Sequence, residues 1–214
     1  MQSMTRSCFV ILSLLSAPLV FAKGSPEAGA TKVIACTACH GPNGNSVTPL
    51  YPTLAGQNAA YVIGQLKHFK SNSRINSAGI MMGMALTLDD QSMEDVAVYF
   101  AAQTPTGLEA DPSYWQAGQR LYRGGDTTRG IPACMACHGP SGRGNPAAGY
   151  PALRAQHAEY VVKQLGDYAA GRRYSTTDKG ETSGGANAAI MNTIAQRLAP
   201  DDMRNVASYV QGLR

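Results

Sequence analysis

The spacing of apolar side chains along this chain predicts helices and not strands. Met93, Val96, Ala97 and Phe100 stand at i, i+3, i+4 and i+7, which places them on one face of a helix. Met203, Val206, Ala207 and Val210 repeat that stripe near the C-terminus. Asp89 or Asp90 is placed to cap the first of these helices. The second has Pro200 for its first turn, but Ala199 stands where Asp89 would cap. Middle helices are predicted over 59–70 and 158–170, and short ones before each cysteine pair, around 27–35 and 114–122. No useful length of chain alternates with the two-residue period of a strand. The expected fold class is therefore all-α. The segments between helices are long and rich in Gly, Pro, Asn and Ser, and such loops in small domains need something to pack on.

The pattern is written twice. Cys36-Thr37-Ala38-Cys39-His40-Gly41-Pro42 recurs as Cys134-Met135-Ala136-Cys137-His138-Gly139-Pro140. Tyr51-Pro52-Thr53-Leu54 recurs as Tyr150-Pro151-Ala152-Leu153, and Gln57, Tyr61 and Gln65 as Gln156, Tyr160 and Gln164. The order is preserved, with extra residues in the second copy. Two domains are expected, 23–105 and 114–214, joined by a linker at 106–113 whose Pro, Gly and acidic residues suit an exposed connector. Residues 1–22 read as a secretory signal: Arg6 is the only charge, 8–20 is mostly apolar, and Val20-Phe21-Ala22 offers a cleavage site. The apolar run is shorter than the ~20 residues of a spanning helix. Export to the periplasm follows as the expected localisation.

Composition sharpens this. Only 15% of residues are charged and 7% aromatic, with one Trp and four Phe. Two domains of about a hundred residues would have thin cores, and units that small often need a disulfide, metal or cofactor. Apart from Cys8 in the signal, the four cysteines all lie in the two repeated motifs. Cys-x-x-Cys alone serves redox disulfides, zinc sites and haem attachment. The trailing His changes the balance. Both thiols can add across haem vinyl groups to form thioethers, and the adjacent His then lies under the iron and supplies Nε2. Cys36, Cys39, Cys134 and Cys137 are therefore the expected attachment points of two haem c groups, with His40 and His138 as axial ligands. The alternatives are disulfides or one Cys₄ zinc site bridging the copies, which account for neither His nor the downstream repeat.

A sixth ligand is expected on the far side of each iron. In the second copy Met135 sits between the cysteines and Met203 lies in the last helix's stripe, which leaves Met191. Met191 stands seven residues before Leu198. The same step back from its repeat partner Leu88 reaches Met81, ahead of Met82 and Met84, which have no partners in the second copy. His68 and His157 compete as nitrogen ligands, but neither recurs, so surface or helix-end roles are expected. Pro52 and Pro151 follow each motif His by twelve and thirteen residues. A carbonyl there would accept from the ring's Nδ1 and fix its orientation.

These motifs, with the Tyr-Pro-x-Leu-x-x-Gln pieces, Met81-Met82-Gly83-Met84 and the final helices, resemble the dihaem class I cytochromes c of the cytochrome c4 family over nearly all of the chain beyond the signal. The resemblance implies two cytochrome c folds, each a few helices around one covalent haem, with propionate edges facing across the interface. It implies that the first Met of Met-x-Gly-Met is the ligand. Ile190-Met191 fits that pattern, while Asn192-Thr193 departs from the Arg-Gly often found there. The longer segment 172–189 is expected to form a flap near the second haem.

Met ligation raises a haem's potential and fills the iron's sixth position, which suits electron transfer and disfavours substrate chemistry. The expected role is a non-enzymatic carrier between a quinol-oxidising cytochrome bc-type complex and a terminal oxidase or reductase. The rival roles are the dihaem subunit of an enzyme such as a flavocytochrome sulfide dehydrogenase, and a dihaem peroxidase, which would need an open iron. The first domain is net neutral and the second net +5, so the molecule is polarised. Arg74, Arg172 and Arg173 are candidates to meet propionates. No aromatic-basic interleaving supports nucleic acid binding. A soluble state and peripheral association with a membrane surface are both compatible with the chain.

Overall fold

The computed structural model describes residues 24–76, 78–174 and 182–213; the expected signal at 1–22 lies outside them. The described residues form helices with only isolated β-bridges between them. The first domain contains α1 (Pro26–Lys32), α2 (Ile34–His40), α3 (Ala59–Lys70), α4 (Ile80–Leu86) and α5 (Asp90–Ala102). The second contains α6 (Trp115–Gly124), α7 (Met135–His138), α8 (Ala158–Ala169), α9 (Gly185–Ala195) and α10 (Pro200–Gly212).

The helical stripe of α5 is the core of the first domain. Met93, Val96, Ala97 and Phe100 are all buried, and truncating Phe100 to Ala would cost about 3–5 kcal/mol. Asp89 caps α5 by accepting from the Ser92 N–H at 2.7 Å. In α10, Val206, Ala207 and Val210 are buried, while Met203 is only half-buried, unlike its counterpart Met93. The capping deficit at Ala199 is met differently there, because the Asp202 carboxylate accepts from the Ala199 N–H at 2.9 Å.

In each domain the first helix crosses the last at a glycine. A Cβ added at Gly29 would lie 2.2 Å from the Asp95 carbonyl oxygen, and one at Gly118 would lie 1.9 Å from that of Asn205. Asp95 and Asn205 are repeat partners, so both copies use the same backbone-to-backbone crossing. Asp95 adds a lock in the first: its carboxylate, 3% exposed as a residue, accepts from the Ser25 N–H at 2.8 Å and Lys32 Nζ at 2.6 Å.

The structure departs from the periodicity reading in three places. The expected helix at 27–35 breaks at Val33, and the first cysteine motif is itself the helix α2. The second domain instead has nine residues between α6 and Cys134, turned back by the Asp126–Ile131 backbone pair. The segments carrying Met81 and Met191 are the helices α4 and α9 and not loops. Neither holds a proline to stop it, and Gly79 and Gly184 stand at their N-caps.

The linker is tied down at both ends. Asn45 Oδ1 accepts from the Thr106 N–H at 2.9 Å, and Ser208 Oγ accepts from the Asp111 N–H at 2.9 Å.

Candidate haem sites and the interface between them

Each cysteine motif ends on a buried histidine followed by a glycine that only a residue without Cβ tolerates. Gly41 and Gly139 sit at φ 77° and 78°, and they turn the chain out of α2 and α7. His40 and His138 are 6% and 7% exposed. His40 Nδ1 lies 2.8 Å from the Pro52 carbonyl oxygen, and His138 Nδ1 lies 3.0 Å from that of Pro151. A carbonyl only accepts, so the proton of each ring is on Nδ1 and the lone pair is on Nε2. Burial pushes both imidazoles down from the ordinary histidine pKa, with the carbonyl bond opposing. Both rings are thus neutral near pH 7 and ready to donate to a metal. Tyr51 and Tyr150 stand edge-on or tilted beside these rings at 6.3 and 6.2 Å.

The four cysteines are unpaired and half-buried. Burial raises the Cys36 thiol and pushes Cys134 up to about 11. Among the described residues no three His, Cys, Asp or Glu side chains are grouped to hold a metal ion. Among the described residues, then, the four cysteines are neither paired with one another nor gathered into one four-cysteine cluster bridging the copies.

The core of the first domain falls into two clusters. Val33, Val96 and Phe100 pack with Cys36, while Met93, Ala97 and Leu66 pack with Met81 and Met82. Both clusters include residues of α5, which links the cysteine side to the methionine side. In the second domain an open apolar groove runs along α9 beside the segment before Cys134, lined by Ile131, Pro132, Ala189, Ile190 and Ile194. Met191 is half-buried on α9, as Met81 is on α4. The burial pattern of 191–200 repeats that of 81–90 residue for residue, with Ala85 and Ala195 fully buried in each.

The arginines point the same way. Arg74 and Arg173, repeat partners, are 8% and 3% exposed. Each reaches the other domain's tyrosine: Arg74 Nη2 donates to Tyr160 at 3.2 Å and Arg173 Nη2 to Tyr61 at 2.8 Å. Neither has a carboxylate partner among the described residues, and Arg173 Nε and Nη1 are buried with no partner. Buried cations without anions are costly, so this pair suits propionate carboxylates. Arg172 does not join them; it is exposed and pairs with Asp167. The expected flap is corrected likewise at its start and end. Residues 175–181 lie outside the described ones, but Arg173 and Tyr174 are pinned between the domains and 185–189 begin α9.

Sequence reasoning assigned no interface role to Gln57, Gln156, Asn58 or His157. All four cross the interface. Gln57 and Gln156 each bond the other domain's backbone twice. Asn58 donates to the Tyr150 carbonyl and His157 Nε2 to that of Ser46, both at 2.9 Å. His157 is at a helix end as expected, but it is buried and not on the surface. His68, half-buried, bonds Ser73 Oγ. The signal for the glutamines was their recurrence; what no sequence reading supplies is that each copy faces the other.

The Cytochrome c family model matches residues 26–103 and 115–214. The chain is 41% identical over 211 residues to cytochrome c4 of Azotobacter vinelandii, covering 95% of this chain and 96% of the relative. It is 33% identical over 199 residues to a thiosulfate dehydrogenase electron acceptor of Thiomonas intermedia, covering 91% and 83%. Its structure matches reduced recombinant cytochrome c4 from Pseudomonas stutzeri with TM-score 0.80 and 42% identity, over 89% of this chain and all of that one. With the residues above suited to two covalent haem groups, the chain belongs to the cytochrome c family, in its dihaem cytochrome c4 branch of electron carriers.

Proposed function

We propose that this protein is a periplasmic shuttle that takes electrons from a quinol-oxidising bc-type complex and hands them to a terminal oxidase or reductase. The observation that carries the reading is the pair of buried histidines locked through Nδ1, one per domain, on two domains that face each other through buried polar contacts. Cys36, Cys39, Cys134 and Cys137 would hold the two haems as thioethers. His40 and Met81 would ligate the first iron, and His138 and Met191 the second. When bound, each group supplies a reversible one-electron centre.

The chain's own contribution is rigidity and charge. The Pro52 and Pro151 carbonyls keep the imidazole planes fixed, so little has to move as charge changes. Arg74 and Arg173 place positive charge between the domains, where it would neutralise propionates. The helices α4 and α9 hold each methionine on a short, packed scaffold, which supports a closed iron and speaks against the peroxidase alternative. Among the described residues no helix is long and apolar enough to cross a membrane.

The test is an absorption spectrum of the purified protein before and after dithionite and after acid–acetone extraction. The expected result is a reduced c-type spectrum that survives extraction, with two haems per chain. Haem that extracts, or none, would end the reading. The second reading, service to one dedicated dehydrogenase, rests on the named thiosulfate dehydrogenase electron acceptor among the relatives. Rapid reduction by such an enzyme but not by a bc-type complex would favour it.

A further inference from the structure

The interface contains a crossed arrangement that bears on the histidines. Gln57 Oε1 accepts from the Ala152 N–H and its Nε2 donates to the Ala152 carbonyl, both at 2.8 Å. Gln156 does the same to Thr53, at 2.9 Å each way. Thr53 directly follows Pro52, and Ala152 directly follows Pro151. These are the two residues whose carbonyls hold the histidine rings. A glutamine of the first domain therefore clamps the chain beside the second domain's histidine, and the reverse.

Both clamps are built and not incidental. Gln57 and Gln156 are 8% and 9% exposed. Each Oε1 also accepts from the next residue's N–H, Asn58 at 2.9 Å and His157 at 3.1 Å, so the amide orientation is set by its donors. The preceding residue is left-handed in both copies: Gly56 at φ 67° and, without glycine's freedom, Ala155 at φ 56°. A non-glycine residue stays there only where its surroundings over-determine it. On its other side each clamped segment is tied within its own domain, Leu54 N–H to Gly44 and Leu153 N–H to Gly142, both at 2.7 Å. The proline carbonyl shares its peptide unit with the clamped N–H, so the opposite domain holds that unit directly, and the tie to its own domain follows one residue on.

We propose that Gln57 and Gln156 are crossed positioning residues: each fixes the carbonyl that holds the other domain's axial histidine, so that each haem's reduction potential is set in part by the opposite domain. The proposal rests on the assignment of His40 and His138 as axial ligands. A firm Nδ1–H···O bond raises the ring's basicity and favours ferric iron. Loosening it raises the potential of that haem.

The experiment uses the full two-haem protein carrying Gln57→Ala or Gln156→Ala, titrated spectroelectrochemically with the two haems resolved. Gln57→Ala is expected to raise the second haem's potential and leave the first in place; Gln156→Ala is expected to do the opposite. The expected size is about threefold or more in the oxidised-to-reduced ratio, where tenfold is about 59 mV for one electron. The Nδ1 proton of the same histidine in the reduced protein is expected to shift with it by NMR. Gln57→Glu and Gln156→Glu keep the acceptor and lose the donor, and they test the same crossed pattern if the alanine variants do not fold. Both haems moving together, only the variant's own haem moving, or no shift overturns the clamp. The axial assignment is tested separately on the unaltered protein: ring-nitrogen hyperfine couplings from His40 and His138 support it, and their absence removes the ground of the proposal.

Discussion

Met81 and Met191, the proposed sixth ligands, carry the sharpest test at the scale of single residues. Met81→Ala and Met191→Ala are each expected to abolish that haem's share of the weak Met–iron charge-transfer band and to lower its potential. The covalent attachment remains, because the thioethers do not involve the methionine. Retention of the full band in either variant would refute that ligand. Asp95 gives a prediction in pH. Lys32, Ser25 and Gln91 hold its carboxyl down to about 2. A group whose folded pKa is depressed contributes stability above the unfolded value of about 3.9. That contribution is lost as pH falls from about 4 through about 2. Asp95→Asn is therefore expected to lower Tm at neutral pH and to flatten the melting profile across that acid window. A variant whose acid limb is unchanged would show that the α1 to α5 lock is not carried by this charge. At this scale the motif residues and the methionine register were legible from the repeat. Arg173 was legible as a candidate but not as a buried group reaching Tyr61.

At the scale of elements, the informative feature is the glycine crossing. The atom facing Gly29 and Gly118 is backbone and not a flexible side-chain end. Any larger residue therefore forces α1 off α5 or α6 off α10. Gly118→Val is expected to cost about 1–3 kcal/mol or more by overpacking, read as a lower midpoint in urea unfolding of the haem-loaded protein. A midpoint equal to that of the parent would mean the crossing has slack. The helices α3, α5, α8 and α10 were legible because their apolar positions recur with helical period. The helices α4 and α9 were not. Ile80 and Ile190 are exposed while Met81 and Met191 are half-buried, so these short helices do not present a clean stripe. Their inner face reads as sequence noise until its neighbour is known.

At the scale of the molecule, charge and docking act together. The second domain's positive balance against a neutral first domain supports an oriented approach to an acidic partner. Electron transfer to such a partner is expected to slow as ionic strength rises through the range where the Debye length falls to about 10 Å, near 0.1 M. Stopped-flow rates against salt check this, and salt-independent rates would remove the charge argument. The inter-domain contacts are mostly side chain to backbone: Gln57 to Ala152, Gln156 to Thr53, Asn58 to Tyr150, His157 to Ser46. No periodicity encodes such bonds, because the acceptor is a peptide group that every residue carries.

The sequence by itself determined the repeat, the two Cys-x-x-Cys-His motifs, the helical class and the register that singles out Met81 and Met191. All of these are local, since they depend on residue type and spacing within a few turns. Only the tertiary structure decided that the two copies face each other through paired contacts, that Arg74 and Arg173 are buried between them, and that each glutamine holds the chain beside the other domain's histidine. Contacts between residues 86 to 112 positions apart are set by how two packed surfaces meet.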